Sequence, residues 1–171
     1  MRILRLAIIS LAGLFILATV IGLLLPSVVL VSRATDVNAY RDSVMPHIKD
    51  INRWKLWIEG MNDTSVQVYS PVMAKLGRTE VSITGITDTT VISSWISSQA
   101  NRQTSTIHLI GDPQNKMTII QWQFVQKLPW YPWARLSSIM NDKILGAMME
   151  KNLGHLKDIV EKPGGGSPSA P

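Results

Sequence analysis

The chain has 171 residues, of which 46% are apolar and 17% charged, a net charge of +5 and no cysteine. Its length suits one domain, and the missing thiols exclude a disulfide scaffold, a thiolate nucleophile and cysteine-ligated zinc. The 17 basic residues face 12 acidic ones and are scattered (Arg33, Arg41, Lys49, Arg53, Lys55, Lys75, Arg78, Arg102, Lys116) without the stripe that tracks a phosphate backbone, so no nucleic-acid partner is expected.

The first predicted element is a membrane span. Residues 6–25 hold no charged side chain and only Ser10 and Thr19 as polar groups. At 1.5 Å per residue they make a helix about 30 Å long, the thickness of a bilayer's hydrocarbon core. A cleavable signal would have a shorter apolar region and small residues at a cleavage site, whereas here Pro26-Ser27 leads straight into Val28-Val29-Leu30-Val31. Residues 1–27 therefore read as an uncleaved anchor. Arg2 and Arg5 precede it, which favours a cytoplasmic N-terminus and a domain outside the cytoplasm, though Arg33 and Arg41 on the far side weaken the bias.

Residues 28–162 read as the folded domain. A first strand runs from Val28 to Thr35, and Asn38 is a plausible cap for a short helix in which Val44, Ile48 and Ile51 share a face interrupted by Pro46. Trp54 and Trp57 follow on one side of another turn, which Gly60-Met61-Asn62-Asp63 breaks. From Ser65 to Leu128 the apolar period becomes two: Val66 and Val68; Val81 and Ile83; Ile92 and Ile96 opposite Val91 and Trp95; Ile107 and Leu109 opposite Thr104, Thr106 and His108; Ile120, Trp122, Phe124 and Leu128 opposite Gln121, Gln123 and Lys127. Turn chemistry at residues 85–88, 97–101 and 111–115 separates the strands, which implies an antiparallel meander. After Pro129-Trp130-Tyr131-Pro132-Trp133 a helical pattern runs to about Glu161, with Leu145, Met148, Met149, Leu153, Leu156, Ile159 and Val160 inside an arc of about 140°. One apolar helix face and one bent antiparallel sheet cover each other, so the fold class is α+β, with the helix across the concave side of the sheet. The Pro/Gly/Ser tail, residues 163–171, reads as disordered.

Two stretches carry a family resemblance. Val31-Ser32-Arg33 through Val37-Asn38-Ala39, Val44-Met45-Pro46-His47-Ile48 and Asp50-Ile51-Asn52-Arg53-Trp54-Lys55-Leu56-Trp57 resemble the opening of polyketide-cyclase/dehydrase-like proteins of the SRPBCC (START-like) superfamily. Leu128-Pro129-Trp130, Asp142-Lys143, Gly146 and Glu150-Lys151-Asn152-Leu153 with Leu156-Lys157 are similar to that family's closing strand and long helix. The resemblance implies a helix-grip fold: a curved antiparallel sheet wrapped around the C-terminal helix, leaving a cavity for a hydrophobic ligand. The stretch from Gly60 to Thr79 is shorter than the family pattern, and the usual hairpin there is expected to be missing or eroded.

The candidate ligand-binding residues are Trp57, Trp95, His108, Trp122, Phe124, Asn141, Met148 and Asn152. The tryptophans and Phe124 would wall a pocket, or simply pack; Trp122 needs a partner for its indole N–H, for which a ligand is one candidate. Met148, with Met140 and Met149, would adapt to apolar shapes or fill core. Asn152 falls in the middle of the apolar arc and Asn141 to one side, where a buried amide must find hydrogen bonds from backbone, water or ligand. His47, His108 and His155 have no metal-ligand spacing, so no metal and no cofactor are expected. No phosphate loop, nucleophile elbow or carboxylate pair is present. The sequence thus favours a membrane-tethered binding domain for a hydrophobic small molecule or lipid. An assembly protein with a protein partner and no ligand is the alternative, and a cyclase- or dehydratase-like enzyme using His108, Glu59 or Asp142 is a third reading.

Overall fold

The computed structural model describes residues 2–24, 26–98, 101–112, 114–129 and 132–162, with backbone alone over 132–141. The proposed tail, Trp130, and the side chains of Trp133, Met140 and Asn141 lie outside the described residues. The elements in chain order are α1 (Arg2–Leu24), β1 (Val28–Val37), α2 (Arg41–Ile48), α3 (Ile51–Trp54), β2 (Val66–Ser70), β3 (Met73–Leu76), β4 (Thr79–Ile86), β5 (Thr90–Ser98), β6 (Asn101–Ile110), β7 (Thr118–Lys127) and α4 (Pro132–Glu161).

The strands form one seven-stranded antiparallel sheet in the order β1-β7-β6-β5-β4-β3-β2. β2 to β7 follow one another as the meander that the alternating pattern predicts, and β1 closes it beyond β7. Register assigns the faces. Val31, Arg33, Thr35 and Val37 of β1 lie beside Phe124, Trp122, Ile120 and Thr118 of β7, which in turn lie beside Ser105, Ile107 and Leu109 of β6. That inward face carries the core, whereas the outward face carries Gln121, Gln123, Thr104, Thr106 and His108. Register shifts in β4 between Ile83 and Gly85, and in β5 after Ile96, bend the sheet.

One local expectation is corrected. Asn38 does not cap α2: the N-cap is Tyr40, with no side-chain bond, and the Asn38 backbone N–H instead donates to Glu161 Oε1 at 2.7 Å. Asp50 is the residue that caps, its side chain accepting from the Asn52 N–H at the start of α3. The stretch from Gly60 to Thr79 also retains a short hairpin, β2–β3. β3 carries only Ala74 as a buried residue, too little alternation to signal a strand.

α4 runs alongside β1 in the same direction. Arg33 Nε donates to Glu150 Oε1 at 2.6 Å, Lys157 Nζ approaches Asp36 Oδ2 at 3.5 Å, and Glu161 meets Asn38. Met149, Asn152, Leu153 and Leu156 are buried on its inner face and Leu145, Ile159 and Val160 are half-buried, as the predicted arc requires. Met148 lies at the rim, 37% exposed.

Candidate functional site

Five aromatic side chains occupy the centre of the grip and form a closed circuit. Trp95 stacks on Trp54 (centroids 6.0 Å apart, planes 9° apart), and Trp54 meets Trp57 edge-on at 6.3 Å. Trp57 meets Trp122 at 5.4 Å, Trp122 meets Phe124 at 5.4 Å, and Phe124 returns to Trp95 at 5.7 Å. These separations and the mostly edge-on geometry suit the ring quadrupoles. Trp54, Trp57, Trp122 and Phe124 are buried, and Trp95 is half-buried.

Every indole N–H in the circuit has a protein acceptor. Trp54 donates to the Ile48 carbonyl at 2.9 Å and Trp57 to the His47 carbonyl at 3.0 Å. Those are two of the last carbonyls of α2, which a helix leaves without intrahelical partners. The tryptophans after the Asp50 cap thus fasten α2 to the core. Trp95 donates to Ser93 Oγ at 3.1 Å and Trp122 to Ser105 Oγ at 2.8 Å. The partner that the sequence sought for Trp122 is therefore a serine on the neighbouring strand. Ser93 and Ser105, both buried, are opposite one another in the register. Sequence reasoning passed over them, although a serine at an inward position of an alternating strand is itself a sign of a buried donor nearby.

The α4 side differs. Asn152 is fully buried; its Oδ1 accepts from the Glu59 backbone N–H at 3.0 Å, which ties the turn after Trp57 to the helix. Its Nδ2 has no partner among the described residues. Leaving a buried amide donor unpaired costs about 1–3 kcal/mol; on α4 this nitrogen is the buried donor that lacks an acceptor among the described residues, while Arg41 Nε and His47 Nδ1 of α2 are likewise without hydrogen-bond partners. Along α4, half-buried Leu145, exposed Met148 and fully buried Asn152 succeed one another at three- and four-residue steps along one side of the helix. Gly146 lies against the Arg33 guanidinium so closely that a Cβ there would overlap it. Arg33 therefore reaches Glu150 across a helix face that only glycine leaves open.

His108 is corrected as a pocket residue. It belongs to the outward face, where Nδ1 meets Thr90 Oγ1 at 3.0 Å, away from the aromatic circuit. Trp57, Trp95, Trp122, Phe124 and Asn152 are brought together between the sheet and α4, Met148 stands at the rim, and Asn141 cannot be placed because its side chain is not described. His47, in the last turn of α2, is buried, with Nδ1 unpartnered among the described residues; burial first, and the nearby Arg53 charge second, lower its pKa. On the surface, the hydrogen bond and charge of Lys151, at 2.8 Å, lower the pKa of Glu59. Among the described residues no three His, Cys, Asp or Glu side chains converge on a possible metal position.

No family model matches the sequence, and neither does any curated protein. Solved structures do match the fold. A START superfamily protein from Mycobacterium smegmatis superposes with a TM-score of 0.59 at 13% identity, covering 77% of this chain and 97% of that one. CalU16 from Micromonospora echinospora gives 0.55 at 16% identity over 82% and 86%. The di-domain ARO/CYC BexL from the BE-7585A biosynthetic pathway gives 0.56 at 13% identity over 80% of this chain and 51% of that one. The chain has the START-like helix-grip fold, preceded by an apolar helix long enough to cross a membrane.

Proposed function

We propose that the chain is a membrane-tethered, non-enzymatic binding domain that takes a hydrophobic small molecule or lipid between the sheet and α4. The observation that carries this reading is the unpartnered Nδ2 of Asn152 at the inner end of the Leu145–Met148–Asn152 stripe. An apolar molecule lying along that stripe would bury its chain against Met148 and Leu145 and offer an acceptor oxygen to the amide. The tether is α1, 23 residues long, its apolar side chains exposed along nearly its whole length. A tethered domain meets membrane-derived ligands at raised effective concentration.

Native mass spectrometry of the full chain extracted in detergent tests the reading. The expected result is a mass above the 19.0 kDa of the chain, matching one apolar molecule, with occupancy reduced in Asn152→Leu. A chain seen only at its own mass, with no thermal shift across fatty acids and phospholipids, would overturn it. That result would favour a second reading, an assembly protein without a ligand. The self-contained aromatic circuit, with each indole N–H already bonded to protein, is what supports that alternative.

A further inference from the structure

The end of the domain nearest the anchor differs in chemistry from the opposite end, and α1 is docked to it. In α1, Ala18 and Thr19 are half-buried and Gly22 is buried, while the other described residues are exposed. The element packed against α1 is α4. Ala18 and Gly22 are one helical turn apart and small, which lets a neighbouring helix backbone approach closely. Gly22 lies three residues, about 5 Å, and Ala18 seven residues, about 10 Å, before the end of the apolar stretch 6–25. With that stretch matched to a hydrocarbon core about 30 Å thick, whatever touches Gly22 and Ala18 lies within about 10 Å of one face of that core.

The surface around this junction fits such a position. β1 begins at Val28, four residues after the end of α1, and β7 ends beside it at Lys127. Leu30 and Val28 on the outward face of β1 are 57% and 44% exposed, and Ile144 on α4 is 69% exposed. Exposed Arg102, Lys127 and Lys143 lie on the elements at this end, with Asp142 beside Lys143. The far end, by contrast, carries Asp36, Asp88, Asp112, Asp158 and Glu161 together with Lys116, Lys157 and Lys162. Apolar side chains between cations are the composition of a surface that sits on anionic lipid headgroups.

We infer that this end of the domain is a lipid-contact surface, with α1 and α4 paired in the leaflet on the domain's side and Leu30, Ile144, Arg102, Lys127 and Lys143 against its anionic headgroups. The inference rests on the anchor reading above and adds that the domain is held down on the bilayer instead of hanging from a free stalk. It also sets the Met148 rim close to the lipid.

The cysteine-free chain allows single labels. Ile144→Cys and, as a control at the far end, Asn115→Cys would each carry a bimane in the full chain reconstituted into vesicles of phosphatidylcholine and phosphatidylglycerol. Lipids nitroxide-labelled near the headgroup serve as quenchers. Ile144→Cys should lose its fluorescence and Asn115→Cys should keep it. Equal, water-like emission at both positions in protein that resists carbonate extraction would overturn the inference and leave the anchor standing. Release of the protein by carbonate would overturn the anchor and the inference together.

Discussion

The two walls of the grip satisfy their polar groups in different ways. On the wall made by the sheet and the short helices, four indole N–H groups face four acceptors, two α2 carbonyls and two serine hydroxyls. On the α4 wall, Asn152 uses its oxygen and leaves its nitrogen unpaired, and Gly146 gives up a side chain to let Arg33 pass. The indoles of the first wall are satisfied within the protein, although two α2 nitrogens on that side, Arg41 Nε and His47 Nδ1, are buried without a hydrogen-bond partner among the described residues. The second holds Asn152 Nδ2 without an acceptor among the described residues, and it is there that the proposed guest would have something to supply.

The largest effect that would break this contrast is at Trp122. Trp122→Ala removes the ring that joins Trp57 to Phe124 and takes the donor from Ser105. Thermal or denaturant unfolding in detergent should show a loss of about 3–5 kcal/mol. A small loss would mean that the sheet wall is not the structural one. A smaller effect sharpens the α4 side. Alanine is favoured over glycine inside a helix by about 1 kcal/mol, but at position 146 its Cβ must displace the Arg33 guanidinium. Gly146→Ala should therefore stabilise the Arg33→Ala protein by about 1 kcal/mol more than it stabilises the protein that keeps Arg33. Equal effects in both backgrounds would show that the close approach is without consequence.

The smallest effect is a pH dependence from His47. Burial lowers its pKa in the folded state, so below about 6.5, the ordinary histidine value, the unfolded chain binds a proton that the folded chain refuses. His47 should thus leave stability untouched at neutral pH and erode it as the pH falls from that value toward the depressed folded pKa. His47→Gln should flatten this part of the unfolding profile. A slope of the same size in the variant would assign it to other groups.

Much of the fold was legible in the sequence because the period of the apolar residues changes where the elements change. Residues 66–128 alternate and so form strands, and the arc on residues 145–160 marks the inner face of α4. Short elements were less legible: β3 has four residues, and α2 takes its fastening from Trp54 and Trp57 in the next segment instead of from a cap of its own. Among the site residues, alternation placed Trp122 and Phe124 inward, and the same alternation already set His108 on the opposite face from Ile107 and Leu109. Asn152 stood out as an amide in an apolar arc. That only one end of it is bonded depends on the turn at Glu59, ninety-three residues away in the chain, which no local pattern could reveal.

The side-chain amide of Asn152 reports most directly on the guest. Its proton–nitrogen signals can be recorded on isotopically labelled full chain in detergent, as extracted and again after apolar molecules are stripped on a hydrophobic resin. Asn52 and Asn62 serve as controls, since their side-chain nitrogens already donate to Asp50 and to the Lys55 carbonyl. A bound molecule that accepts from Nδ2 predicts that the Asn152 pair moves on stripping while the Asn52 and Asn62 pairs stay in place. An Asn152 pair that does not move, in protein shown by mass to have lost its guest, would contradict the account.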